Sequence, residues 1–311
     1  MSDSEISRLA PVSDSLLKGF GPPFPIDSKA LAACNTADDF TSLSFELYKE
    51  VGLMTTASAS CYVSLPGEPH VMPRNQAICA GLLIRVAKFI SAIVVLTATQ
   101  ESREVTMALM RCIMDTSVTI RFLILKNDAA IYDEFVRRGL SPEAELFDLV
   151  KRNIATRGGE SQPIERRLLK TITDLTVTSE LMIDDIPRHH RDWGGGLRKR
   201  LVALGIEDSY AGSQRIPSHA IHGTWVDLVI HHLEKTEAGW RLRPDFSKID
   251  TRLLFPQSMM ALQAAADYLR GFFGAHLEEL KEVFQRFDDL SRRASEVERA
   301  YELWIESSRD S

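Results

Sequence analysis

Two long apolar stretches, residues 75–96 and 104–125, constrain this chain more than anything else in it. In the first, Ile78, Leu82, Val86, Phe89, Ile93 and Leu96 recur at intervals of three and four, which predicts a helix packed along one stripe. In the second, Met107, Leu109, Met110, Ile113, Met114, Val118, Ile120, Phe122 and Leu123 cover nearly every face, which predicts a helix at the centre of the fold. The expected fold is therefore all-α, or mostly α: a multi-helix bundle whose hydrophobic content of 44% is ample for a buried core.

The first stretch is also about as long as the roughly 20 residues a bilayer span requires. Arg85 and Lys88 interrupt it near the middle and share one helical face. Each would cost about 2.5 to 3.5 kcal/mol at a bilayer centre. A core helix is expected, and no membrane association.

The rest of the chain reads as a frame around these helices. Residues 1–34 contain the cluster Gly19-Phe-Gly-Pro-Pro-Phe-Pro25, whose prolines fix φ and remove donors, so a flexible arm without regular structure is predicted. Residues 35–311 are expected to form a single helical domain. Thr36 and Asp39 are spaced as a capping box, Phe40, Leu43, Leu47 and Val51 give an apolar face, and Gly52 is the predicted stop. Serine, threonine, glycine and proline over residues 53–73 predict a long loop. Further helices are expected up to Gly139, from Ser141 to about residue 156, from Pro163 to about residue 183, and through the C-terminal third. Residues 226–234 and 239–243 flank a short turn and predict one small β-hairpin.

Charge and cysteine content narrow the function classes. A net charge of −6 argues against a chain-wide binder of nucleic acid, while leaving room for a local basic patch. The first residues carry no basic leader and no apolar run, so a cytoplasmic location is expected. Cys34, Cys61, Cys79 and Cys112 show no Cys-x-x-Cys spacing and fit reduced thiols.

The residues with chemistry in them concentrate between Tyr210 and Trp225, where Arg215, Ser218, His219 and His222 crowd together. Pro217 suits the first turn of a helix, which places Arg215 just before it and the two histidines within it. Histidine titrates near neutrality, and arginine carries a permanent charge shaped for carboxylate or phosphate, so the group suits a phosphodiester. The competing reading makes His222 a buried structural histidine. On the central helix, Arg111 and Asp115 lie four apart with Thr119 continuing the line, either as an internal ion pair or as the second wall of the same polar site. If they form one site, His222 lies within side-chain reach of Arg111 or Asp115.

Gly194, Gly195 and Gly196, followed by Arg198, make a loop that can approach a ligand closely ahead of a helix N-terminus, a candidate phosphate site that matches neither a P-loop nor a dinucleotide fingerprint. His219 and His222 could begin a metal site with Asp184, Asp185 or His190, but no second ligand pair stands at helical spacing with them, so no metal is expected. Ser218 lacks a Gly-x-Ser-x-Gly setting and is not read as a nucleophile. No cofactor is implied.

With those residues in view, the chain resembles a family of helical bacterial proteins characterised only as a domain of unknown function. The resemblance covers about residues 75–270 and rests on Arg111-x3-Asp115, on Trp193 with the short helix before Gly205, and on Tyr210-x7-Ser218-x3-His222-Gly223. Asp115 stands where that family usually carries glutamate. The chain is also similar to the HEPN superfamily of helical nucleases in its Arg215-x6-His222 spacing, with Ile216 in place of the usual polar residue. That resemblance implies a metal-independent ribonuclease, acting as a homodimer and as a toxin or defence effector with a cognate antitoxin or other regulatory partner. It further implies that Arg215 stabilises phosphate charge and His222 moves the proton. Arg111, Asp115, Tyr210, Ser218 and His219 are read from the sequence itself as supporting residues of the same site. The alternative is a non-enzymatic helical binding or scaffold protein held by a buried Arg-Asp-Ser-His network.

Overall fold

A computed structural model describes residues 21–61, 71–97, 103–188, 192–209, 216–222, 224–244, 249 and 251–309. Over these the protein is mostly α with one small antiparallel hairpin, as the periodicity predicts. The chain divides into two compact units, residues 1–124 with 204–311, and residues 125–203.

The first unit is built on α2 (Ala37–Ala59), α3 (Arg74–Thr97), α4 (Arg103–Lys126), α10 (Leu254–Phe273) and α11 (Lys281–Arg309). The capping box at Thr36 is present, with its hydroxyl accepting from the Asp39 amide and the Asp39 carboxylate accepting from the Thr36 amide. Helix α2 packs against α3, α10 and α11. It does not stop at Gly52. A Cβ there would lie 2.9 Å from Ile90 Cγ2, so the glycine marks the closest approach of α2 to α3 rather than a C-cap. Beyond it the residues expected to form a loop continue the helix to Ala59, with the hydroxyls of Thr55, Thr56 and Ser58 donating to carbonyls one turn back. Of the rest of that expected loop, residues 60–61 and 71–73 carry no helix or strand, and residues 62–70 lie outside the described residues.

Helix α3 buries Cys79, Leu83, Val86, Ile90, Ile93 and Thr97, a stripe rotated from the expected one, which shares only Val86 and Ile93 with it. The helix is apolar nearly all round, and packing on α2 and α10 chose the side. Its 18-residue window of mean hydropathy 2.2 is long and apolar enough to cross a membrane. Arg85 is held over the Phe89 ring at 4.6 Å.

Residues 21–34 hold one turn of helix, α1 (Ser28–Ala32), where no regular structure was expected. Asp27 caps it by accepting from the Ala30 amide at 2.7 Å. The arm is tied to the bundle by a buried charge cluster. Glu50, 7% exposed, accepts both Nη1 and Nη2 of Arg293 at 2.8 Å and Nε of Arg286 at 2.5 Å. Its Oε2 also accepts from the Phe24 amide at 3.3 Å, and Arg293 Nη1 donates to the Phe24 carbonyl at 2.9 Å. Burial by itself would raise the Glu50 pKa, but the hydrogen bonds and charges of Arg293 and Arg286 outweigh it and hold the carboxyl below its usual range.

The second unit comprises α5 (Ala129–Gly139), α6 (Ser141–Thr156), α7 (Pro163–Thr178) and α8 (Gly196–Ala203). Helix α7 ends at Thr178, short of the expected end near residue 183, where Glu180 turns to φ 56°. Arg157 bonds the Glu165 carboxylate, and Arg188 bonds Asp148 at 2.9 Å while donating to the carbonyls of Ile183 and Ile186. Trp193 sits edge-on to Phe135 with Arg200 over its ring at 4.9 Å.

The hairpin is smaller than expected: β1 (Leu233–Thr236) pairs with β2 (Gly239–Leu242) in the register Leu233 with Leu242 and Thr236 with Gly239. Residues 225–232, expected to be mostly strand, are instead a helical turn, Trp225–Asp227, running into a π turn, Leu228–His232. Thr224 caps this segment by accepting from the Asp227 amide.

Three substitutions check this packing. Gly52→Ala is expected to lower the melting temperature, because Ile90 is β-branched and cannot swing its Cγ2 away, at a cost of about 1 to 3 kcal/mol for overpacking. Gly81→Ala in α3, with open space around it, should raise it by up to about 1 kcal/mol through helix propensity. Glu50→Ala leaves Arg293 buried without its bidentate partner and is expected to cost about 3 to 5 kcal/mol in a denaturant titration. Because the folded-state pKa of Glu50 is depressed, its contribution is fully present above the ordinary value near 4.5 and is lost as pH falls through the lower folded value. Wild type should therefore lose stability over that acid range and Glu50→Ala should lose less.

Candidate functional site

The site is laid out along one stripe of α4. Glu104, Arg111 and Asp115 stand seven and four residues apart and so face the same way. Arg111 Nε lies 3.8 Å from Asp115 Oδ2, and Thr119 donates to the Asp115 carbonyl at 2.8 Å. Facing this stripe is the segment from α9 (Ile216–His222) to the π turn. His222, the last residue of α9, brings Nε2 to 3.4 Å from Arg111 Nη1. The expected proximity of His222 to the Arg111 and Asp115 face is thus met. Arginine can only donate, so Nε2 is the acceptor of this bond, and a neutral His222 ring carries its proton on Nδ1.

His222 is exposed, and the side chains of Arg111 and Asp115 are 21% and 39% exposed. The group opens to solvent, where a substrate can reach it. His219 is half-buried and turned to Thr224, with Nδ1 2.9 Å from Oγ1, so the two histidines have different surroundings although they stand three apart. Pro217 is buried and Ser218 half-buried in the same short helix. Arg215 and Tyr210, the other residues assigned to this site from the sequence, lie outside the described residues, as does His190.

A second group on the same stripe is missed by the sequence analysis, which sets residues 226–234 in a strand and singles out neither His231 nor His232. In the π turn His231 is buried, 4% exposed, with Nδ1 3.7 Å from Glu104 Oε1. His232 stays largely exposed, with Nε2 3.5 Å from the buried carboxylate of Asp227. Burial first, then the charge of Arg103, depresses the His231 pKa, against the opposing pull of Glu104 and Asp227. The only sequence sign of this group is a pair of histidines followed by strand residues, which carries no register information.

The glycine loop belongs to the second unit. Gly194, Gly195 and Gly196 take φ of 58°, 74° and 85°, the left-handed region open to glycine. The Asp192 carboxylate lies against Gly196, 3.1 Å from where a Cβ would sit, so an acid of the chain itself is placed at the start of α8. Arg198 is exposed in the first turn of that helix. Among the described residues no three His, Cys, Asp or Glu side chains converge as a metal-binding group, and no disulfide joins any of the four cysteines.

A mostly α protein with an open histidine–arginine–carboxylate group along its central helix is the class that fold and site define. Residues 76–239, just over half of the chain, match a family described as a family of unknown function (DUF5677), and the chain belongs to it. The three blocks that carry the resemblance all fall inside the match. No curated protein matches, and no solved structure matches.

His231 gives a pH test of this geometry. A histidine whose folded pKa is depressed contributes stability above its ordinary value near 6.5 and loses it as pH falls through the lower folded value. The unfolding free energy of wild type is expected to fall as pH drops below about 6.5. His231→Gln should flatten that part of the profile in a pH series of denaturant titrations.

Proposed function

We propose that the protein is a HEPN-like, metal-independent ribonuclease, a bacterial toxin or defence effector that works inside the cell as a homodimer. The observation that carries this reading is the solvent-open contact of His222 Nε2 with Arg111 Nη1 at 3.4 Å, with the Asp115 carboxylate at the far side of the guanidinium. A structural network would be expected to bury its histidine, and His222 is exposed.

In the proposed reaction the RNA's own 2′-hydroxyl attacks the adjacent phosphorus. His222 Nε2 takes the hydroxyl proton, the bond to the 5′-oxygen breaks, and that oxygen leaves as an alcohol after accepting a proton from solvent water, whose hydroxide takes back the proton held on His222. The products are a 2′,3′-cyclic phosphate and a 5′-hydroxyl end. An incoming phosphate competes with the histidine for Arg111, which frees the Nε2 lone pair at the moment the guanidinium meets the developing charge. Asp115 keeps that guanidinium oriented, and Arg215 adds a second positive charge to the phosphate. A cognate antitoxin or regulatory partner would hold such an activity in check.

Purified protein incubated with tRNA and total RNA in EDTA tests the reading. Wild type is expected to leave cyclic-phosphate ends, and His222→Ala to cleave about 10² to 10⁴ times more slowly. Because His222 is exposed, the same variant should melt within about 0.5 kcal/mol of wild type. No cleavage by wild type, or equal cleavage by His222→Ala, overturns it.

A further inference from the structure

On the neighbouring stripe of α4 lies a cavity of about 610 Å³ that the reaction above does not use. It opens between Met114 and Arg121 of α4, the segment at residues 206–209, and the first three turns of α10. A volume of that size is in the range of roughly 300 to 1,000 Å³ that holds a small molecule. Its walls are mostly apolar, and three of them, Met114, Met259 and Met260, are methionines set beside Phe255. Thioethers adapt their shape and make favourable contacts with ring edges, so this lining suits an aromatic guest better than a branched aliphatic one.

Two polar groups in the lining have bonding capacity left over. Gln257 is 3% exposed, yet its Oε1 has no hydrogen-bond partner among the described residues. A buried acceptor without a donor costs about 1 to 3 kcal/mol, which a guest carrying N–H or O–H would recover. Arg121 donates Nε to Asp267 at 2.8 Å and Nη1 to the Met260 sulfur at 3.4 Å. Those bonds fix the guanidinium plane and leave Nη2 for an acceptor or anion. Asp267 is held in turn by Gln263 Nε2 at 2.8 Å, so the charged corner is oriented before any guest arrives.

We infer that this cavity binds an aromatic small molecule that donates N–H to Gln257 Oε1 and presents an acceptor or anionic group to Arg121. The inference rests on α4, α10 and the segment at residues 206–209, and stands or falls separately from the ribonuclease reading.

Two fluorescent probes with the same diarylamine N–H test it. 8-Anilinonaphthalene-1-sulfonate carries an anion, and N-phenyl-1-naphthylamine does not. With the full chain, both are expected to bind with one saturable site, the sulfonate about tenfold more tightly through Arg121. Gln257→Leu, which removes the unpartnered acceptor at nearly constant volume, should weaken both about tenfold while leaving the melting temperature unchanged or higher. Met259→Trp, which fills the cavity from a half-buried position, should abolish saturable binding. In protein labelled with ¹³C at the methionine methyls, probe should shift the resonances of Met114, Met259 and Met260 before the other six. Unchanged affinity in both variants, or probe-induced shifts that spare those three methionines, overturns the inference. Loss of RNA cleavage with probe binding intact would count against the ribonuclease alone.

Discussion

The Glu50 carboxylate is the point on which the larger unit turns. It lies in α2, takes three guanidinium bonds from two arginines of α11, and accepts the backbone amide of Phe24. A buried anion is tolerated only when paired and fully hydrogen-bonded, so the fit of these partners fixes the azimuth of α11 about α2. It also fixes where the chain from residue 21 meets the bundle, because Arg293 holds the Phe24 carbonyl with the same guanidinium that holds Glu50. Apolar residues buried on the two helices, Leu47, Tyr48 and Val51 of α2 and Val283, Phe287 and Leu290 of α11, supply the driving force without specifying the orientation.

Much of the helical frame was legible in the sequence because long apolar stretches with caps admit few other forms. The capping box at Thr36 and the extents of α3 and α4 are cases where a local signal and the tertiary answer agree. Gly52 shows where local signals run out. A glycine lacks a side chain for two unrelated reasons, to turn a chain left-handed at a helix end or to let another helix in, and only the position of Ile90 tells which applies. The buried stripe of α3 was misplaced for a similar reason, since a helix with apolar residues on most faces does not say which face will be covered.

The candidate site divides along the same line. Arg111 and Asp115 could be picked out because each is a charged residue in an apolar helix, and His222 because it crowds with Arg215, Ser218 and His219; the fold brings Arg111 and His222 together. The pairing of His231 with Glu104 could not, because it depends on a backbone irregularity that residue types do not announce. Leu228-Val-Ile-His-His reads as strand by β-branched content, yet capping by Thr224 starts a helical turn that carries through it. The polar face of α4 is consequently longer than the sequence suggests, with a buried histidine–carboxylate contact at one end and an open histidine–arginine contact further along.

The π turn also makes the length of the chain at this point part of its chemistry. Such a turn accommodates one more residue than an α-helical turn closing over the same rise. That surplus is what lets His231 face Glu104 while His232 remains outside, and what starts β1 at Leu233. Were the segment one residue shorter, the turn would close as ordinary α-helix and His231 would be rotated away from Glu104, while the pairing of β1 with β2, set by the turn between Thr236 and Gly239, would stay as it is. A single-residue deletion here would act as a change of side-chain address for the two histidines, without altering the identity of any residue that remains.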